Sequence, residues 1–143
     1  MTVATLLRPD RVHLGVRAAD KAGALGALAR LASGQPAAVV TLLAAREELG
    51  STGVGGGIAL PHARIEGLET PCAWFVRLAR PIDFMAIDGA KVDLLFLLLT
   101  PIGDDQAHLS ALATLSRRLR APGVAAALRA AATPAEAYAI LTG

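Results

Sequence analysis

His62 follows a glycine cluster and a proline in the run Gly55-Gly-Gly-Ile-Ala-Leu-Pro-His62-Ala-Arg64. Proline fixes its own φ and drives the residue before it into extended backbone. The spacing therefore predicts an imidazole displayed at the end of a short strand, not carried on a helix. Histidine has the ordinary pKa nearest neutrality and can act as base, nucleophile or ligand. Held rigidly beside a flexible loop with accessible amides, it points to chemistry on an anion.

His108 lies four, seven and eleven residues before Leu112, Leu115 and Leu119, which places all four on one helical stripe, with Arg117 on the opposite face. It reads either as a core histidine with one hydrogen-bonded nitrogen or as a partner that orients a second catalytic group. Arg46 shares a stripe with Val39 and Leu43 on an earlier helix. An arginine on an apolar face must snorkel to water or find an anion. A cation near a helix C-terminus is also favoured by the dipole, so Arg46 has a structural reading beside the chemical one, in which its planar donor fork holds a phosphoryl group.

Residues 50–57 (GSTGVGGG) offer amides and the hydroxyls of Ser51 and Thr52. They form no Walker loop, because no Gly-Lys-Ser/Thr follows, and no dinucleotide fingerprint, because Pro61 stands where a helix should begin. His13, in an expected strand without companions, reads as structural or surface. No histidine pair has the close spacing common in metal sites, and no metal is expected. Cys72 reads as a small core residue. Asp83, Asp88 and Asp93 are scattered and make no carboxylate pair. Arg117, Arg118 and Arg120 read as a solvated helix face or part of a docking patch. No serine lies in a nucleophile elbow.

The elements that must position these groups follow from patterning. Strands are expected at 12–16, up to residue 60, at 73–78 and at 92–100. The last (VDLLFLLLT) is nearly all apolar, as a strand buried on both faces should be. Helices are expected at 21–31 with Asp20 as N-cap, at 36 to about 49 with Pro36 in the first turn, and at 104–120, 124–131 and 134–141, the last capped by Thr133. Residues 81–89 read as irregular, with a turn at Asp88-Gly89. Strands mixed with helices imply an α/β (α+β) fold, a sheet covered by helices.

The 143 residues suit one domain with a sizeable core, and 54% hydrophobic content with 18% charged argues against disorder. A net charge of +2 and 3% aromatic residues give no footprint for nucleic acid. The longest apolar run, residues 94–99, is far short of the roughly 20 needed to span a bilayer. Arg8, Asp10 and Arg11 interrupt any signal peptide, so no membrane insertion is expected. The lone Cys72 has no internal disulfide partner, which suits a reducing cytoplasm.

Five segments together resemble the enzyme IIA domain of the fructose/mannitol class of the bacterial phosphotransferase system, above all its nitrogen-regulatory branch. They are Arg46-Glu-Glu-Leu-Gly-Ser-Thr52-Gly, Gly57-Ile-Ala-Leu-Pro-His62, Pro81-Ile-Asp-Phe-Met-Ala-Ile-Asp88-Gly, Val92-Asp-Leu-Leu-Phe-Leu-Leu-Leu and Asp105-Gln-Ala-His108-Leu. The likeness runs over nearly the whole chain and implies a type-2 enzyme IIA domain over 1–143, with a mixed parallel and antiparallel sheet flanked by helices. It also implies that His62 is phosphorylated, through Nε2, by an HPr-type phosphocarrier. Arg46 and His108 would then assist, Thr52 and nearby loop amides would add phosphate donors, and no cofactor would be used. The nitrogen-branch likeness and the free-standing chain favour a regulatory module. A relay to a fructose/mannitol-type enzyme IIB is the alternative, and a hydrolase built on the two histidines lacks a nucleophilic serine or metal set. The family often has glycine after the histidine, where this chain has Ala63. If φ there were positive, alanine would cost of order 1 kcal/mol.

Overall fold

The computed structural model describes residues 1–143. Its elements run α1 (Val3–Leu6), β1 (Leu7–Val16), α2 (Lys21–Ala32), α3 (Pro36–Glu48), β2 (Gly53–Gly55), β3 (Ile58–Ala59), β4 (His62–Ile65), β5 (Cys72–Ile82), β6 (Val92–Pro101), α4 (Asp105–Leu119), α5 (Val124–Ala130) and α6 (Pro134–Thr142). The apolar β6 lies inside the sheet, whose order is β1-β5-β6-β3-β2 with β4 also paired to β6. It runs antiparallel to β5 and parallel to β3 and β4, and β1 runs parallel to β5, so the sheet is mixed as expected.

The pleat sends alternate side chains of β6 into two cores. Leu94, Phe96 and Leu98 pack under α1, α4, α5 and α6. Leu95, Leu97 and Leu99 pack under α2 and α3. Helix starts follow their caps: the Asp20 carboxylate accepts the Gly23 N–H at 2.8 Å, and the Thr133 hydroxyl accepts the Glu136 N–H at 3.2 Å.

The structure departs from the sequence reading at several points. β1 begins at Leu7 instead of residue 12, because Pro9 is absorbed in an irregular register between Leu7 and Val12 on a strand that pairs with β5 alone. The short helix α1 was not expected. His62 does not end the preceding strand; it opens β4. Ile58 and Ala59 face Leu94 and Leu95, and His62 and Ala63 face Leu98 and Leu99, so the register is unchanged across Leu60-Pro61. Pro61 cannot donate to the ladder, but its carbonyl still accepts the Leu98 N–H at 3.0 Å. One ladder is thus interrupted for two residues immediately before the imidazole.

Candidate functional site

Three elements meet near the C-terminal end of β6. Arg46 projects from the last turn of α3, His62 opens β4 and His108 lies near the start of α4. The sequence expectation that these three meet is met by the geometry. Arg46 Nε donates to His62 Nε2 at 3.1 Å, and the two imidazole centroids lie 5.2 Å apart at an interplanar angle of 60°. Arg64, two residues along β4, ties that strand to α4 through Asp105 at 3.2 Å.

The His62 tautomer follows from its partners. Nδ1 is 2.8 Å from the Leu60 carbonyl, which can only accept, so Nδ1 carries the proton. Nε2 therefore holds the lone pair, in agreement with the guanidinium donating to it. Burial holds the His62 pKa below its ordinary 6.5; the Leu60 carbonyl pulls it up and the Arg46 charge adds to the lowering. His108 is pushed down to about 4, first by burial, then by the charges of Arg64 and His62. Both rings are neutral near pH 7.

Arg46 has no carboxylate within ion-pair distance. Its partners are His62 and the Gly50 carbonyl, 2.9 Å from Nη1. The guanidinium charge thus faces a neutral imidazole, which is where an incoming anion would be stabilised. Leu42, Leu49 and Leu109 surround this cleft with 44%, 85% and 64% of their surfaces exposed. An apolar rim around a polar centre is the form of a protein contact surface.

Thr52 does not join the three. It is buried, its hydroxyl bonds the Glu47 carboxylate, and the same carboxylate accepts the Thr52 N–H at 3.0 Å and pairs with Lys21 at 2.7 Å. Two of the loop glycine amides are already used, since Gly53 N–H goes to Ser51 Oγ and Gly56 N–H to Asp88. The glycines serve shape instead: a Cβ at Gly53 would lie 2.7 Å from that of Ala86, and Gly57 turns the β2–β3 hairpin at φ +80°. Thr52 acts on the site at one remove. Its carbonyl accepts the Leu60 N–H at 3.0 Å, and the Leu60 carbonyl accepts the His62 proton. Lys21, Glu47, Thr52 and Leu60 therefore form a continuous support for the imidazole.

Sequence reasoning missed Glu47 and Thr100. Glu47 is the glutamate of an Arg-Glu pair whose buried carboxylate required a partner, but that partner, Lys21, comes from another helix. Thr100 Oγ1 lies 2.6 Å from His108 Nδ1, and a lone polar residue closing an apolar strand was the available signal. His13 is on β1, with β5 between it and β6. Cys72 is half-buried at the start of β5. Arg118 is not simply solvated; it donates to the Ile140 carbonyl of α6. Ala63 lies in β4, and Met85 is the non-glycine residue at positive φ, so alanine after the histidine carries no left-handed strain.

Residues 5–143 match the family described as "Phosphoenolpyruvate-dependent sugar phosphotransferase system, EIIA 2". A nitrogen regulatory protein of Bradyrhizobium diazoefficiens is 41% identical over 145 aligned positions, covering 99% of this chain and 95% of that protein. The crystal structure of nitrogen regulatory protein IIA-Ntr from Neisseria meningitidis superposes with a TM-score of 0.91 at 31% identity, over 98% of this chain and 99% of that one. Enzyme IIAMTL from Escherichia coli, solved in complex with phosphorylated enzyme IIBMTL, shares the fold at a TM-score of 0.75 and 17% identity, over 95% and 98% of the two chains. No helix is long and apolar enough to cross a membrane.

Proposed function

The chain belongs to the EIIA 2 family of the phosphoenolpyruvate-dependent sugar phosphotransferase system, and from that premise we infer that His62 is its phosphoryl acceptor and an HPr-type phosphocarrier its donor. The observation that carries the reading is a neutral imidazole whose Nε2 lone pair faces an arginine with no carboxylate partner.

In this reading the His62 Nε2 lone pair attacks the phosphorus of the carrier's phosphohistidine in line. The new N–P bond forms as the carrier's N–P bond breaks, and the electron pair of the broken bond stays on the carrier's imidazole. Such a transition state is loose, so the protein contributes position and charge. Arg46 exchanges the imidazole nitrogen for phosphoryl oxygens as its acceptors. The proton stays on Nδ1, donated to the Leu60 carbonyl, throughout. The phosphorylated ring is then an imidazolium, able to leave as neutral imidazole when the group moves on. Leu42, Leu49 and Leu109 receive the carrier's surface, and the arrangement suits a cytoplasmic protein with one unpaired cysteine.

The output we propose is regulatory: phosphorylation of His62 changes which proteins the apolar rim binds. The full-length likeness to nitrogen regulatory proteins supports it. The alternative is a relay to an enzyme IIB, the partner held by the E. coli mannitol protein of the same fold. Incubation with phosphorylated carrier, followed by mapping of acid-labile phosphate, tests the site: label on His62 supports it and label elsewhere, or none, overturns it. Partner capture that differs between the two phosphorylation states supports regulation, whereas rapid loss of label to an enzyme IIB supports the relay.

A further inference from the structure

We propose that Thr100 is a positioning residue that sets the tautomer of His108, keeping Nδ1 as an acceptor so that Nε2–H is presented to the phosphoryl group. The inference rests on the reading of His62 above and adds to it the source of the second donor.

Thr100 is completely buried at the end of β6, and the His108 Nδ1 contact at 2.6 Å is the hydrogen bond its hydroxyl makes. Two arrangements satisfy that distance. If Nδ1–H donated, the threonine's own O–H would be left in the interior without an acceptor, at the full desolvation cost of an unmade bond. If the hydroxyl donates, its hydrogen is paired in the interior and only its lone pairs go unused. The second arrangement wins. It leaves His108 with its proton on Nε2.

That nitrogen has no partner within the protein, and no side-chain nitrogen of the molecule is both buried and unpaired, so Nε2 reaches the cleft that His108 lines together with Arg46, His62 and Arg64. The two imidazoles thus hold opposite tautomers. The Leu60 carbonyl gives His62 a bare Nε2 to attack phosphorus. The Thr100 hydroxyl gives His108 a protonated Nε2 to donate to phosphoryl oxygens. With the other tautomer, a nitrogen lone pair would face those oxygens and repel them. The choice matters because His108, held at about 4, stays neutral near pH 7 and has one N–H to offer.

Long-range 1H–15N correlation spectra of the histidine side chains, on wild type, Thr100→Val and Thr100→Ser, test the assignment. The expected wild-type spectrum has a protonated Nε2 and an unprotonated Nδ1 at His108, and the reverse at His62. Thr100→Val should mix or invert the His108 tautomer and slow phosphoryl transfer to His62 about tenfold, the size of one lost hydrogen bond. It should leave the His62 tautomer unchanged and lower the thermal transition, since the buried His108 Nδ1 loses its partner, and Thr100→Ser should restore the His108 tautomer and the transfer rate. A wild-type His108 protonated on Nδ1, or a Thr100→Val protein with unaltered tautomer, overturns the proposal. If wild type accepts no phosphoryl group, the acceptor reading fails by that result alone, while the spectra still decide the tautomer.

Discussion

Near the start of β6, Arg129 of α5 grips Asp93 with Nε and Nη2 at 2.9 Å each and the Gly56 carbonyl at 2.7 Å. Near the other end of the same strand, Arg46 faces an imidazole at 3.1 Å and a carbonyl at 2.9 Å, with no carboxylate in reach. The first guanidinium is charge-matched, and its contact with Asp93 raises its pKa further. It fastens the β2–β3 hairpin to a helix. The second is spatially fixed yet electrically unmatched, although the next residue, Glu47, is an acid. That acid turns away to Lys21 and Thr52. The contrast separates an arginine that completes a fold from one left open for an anion.

The sharpest way to break this contrast is at the acceptor itself. His62→Ala should abolish labelling by phosphorylated carrier while leaving the circular dichroism spectrum unchanged; stoichiometric labelling of that variant removes the site. The next test exchanges the arginines. Arg46→Ala should slow transfer by about 10²–10³, the scale of a lost oxyanion-type donor, with little change in chemical denaturation. Arg129→Ala should lower stability by about 1 kcal/mol and leave transfer within about threefold. If the two variants swap effects, the comparison is wrong. A smaller effect is expected from the support behind the imidazole. Glu47→Gln keeps an acceptor for Thr52 but leaves the Lys21 ammonium unpaired, so a stability loss of about 1–3 kcal/mol and a several-fold slower transfer should appear together. Loss of stability with an unchanged transfer rate would confine Glu47 to folding.

The pH response sharpens the comparison further, because a neutral cleft is what leaves the Arg46 charge exposed. The folded protein binds the His108 proton less readily than the unfolded chain, with values of about 4 and 6.5. Stability is then complete above pH 6.5 and is lost as pH falls toward 4, by up to about 3 kcal/mol. Denaturation at pH 7 and pH 5 should show this fall, and His108→Gln should reduce it. The phosphoryl-acceptor rate should be level above pH 7 and decline below 6.5, as His62 protonates at its lowered value. A maximum near pH 5 would contradict the neutral nucleophile.

The trio was legible because each member broke a pattern locally. Pro61 before His62 announced a displayed ring, and Arg46 and His108 were polar intrusions on apolar helical stripes. Their assembly into one site was implied by the family resemblance and not by patterning, since Arg46 and His108 each also had a structural reading on its own helix. Thr52 was misplaced for an equally physical reason. Glycines and hydroxyls in a loop look like a phosphate cradle until the partners of their amides are known, and here Glu47, Ser51 and Asp88 take those of Thr52, Gly53 and Gly56. Those partners are set by tertiary packing, as is the Thr100–His108 contact across the turn from β6 to α4. β4 escaped notice because a proline ordinarily ends a strand, whereas this ladder resumes in the same register beyond it.

The most direct measurement is 31P and 15N spectroscopy of the chain after incubation with phosphorylated carrier, read for the nitrogen that bears phosphorus. The account predicts one phosphoryl group, on Nε2 of His62, with the Nδ1 proton retained opposite Leu60. Phosphorus on Nδ1 of that ring, or on any other residue, would contradict it.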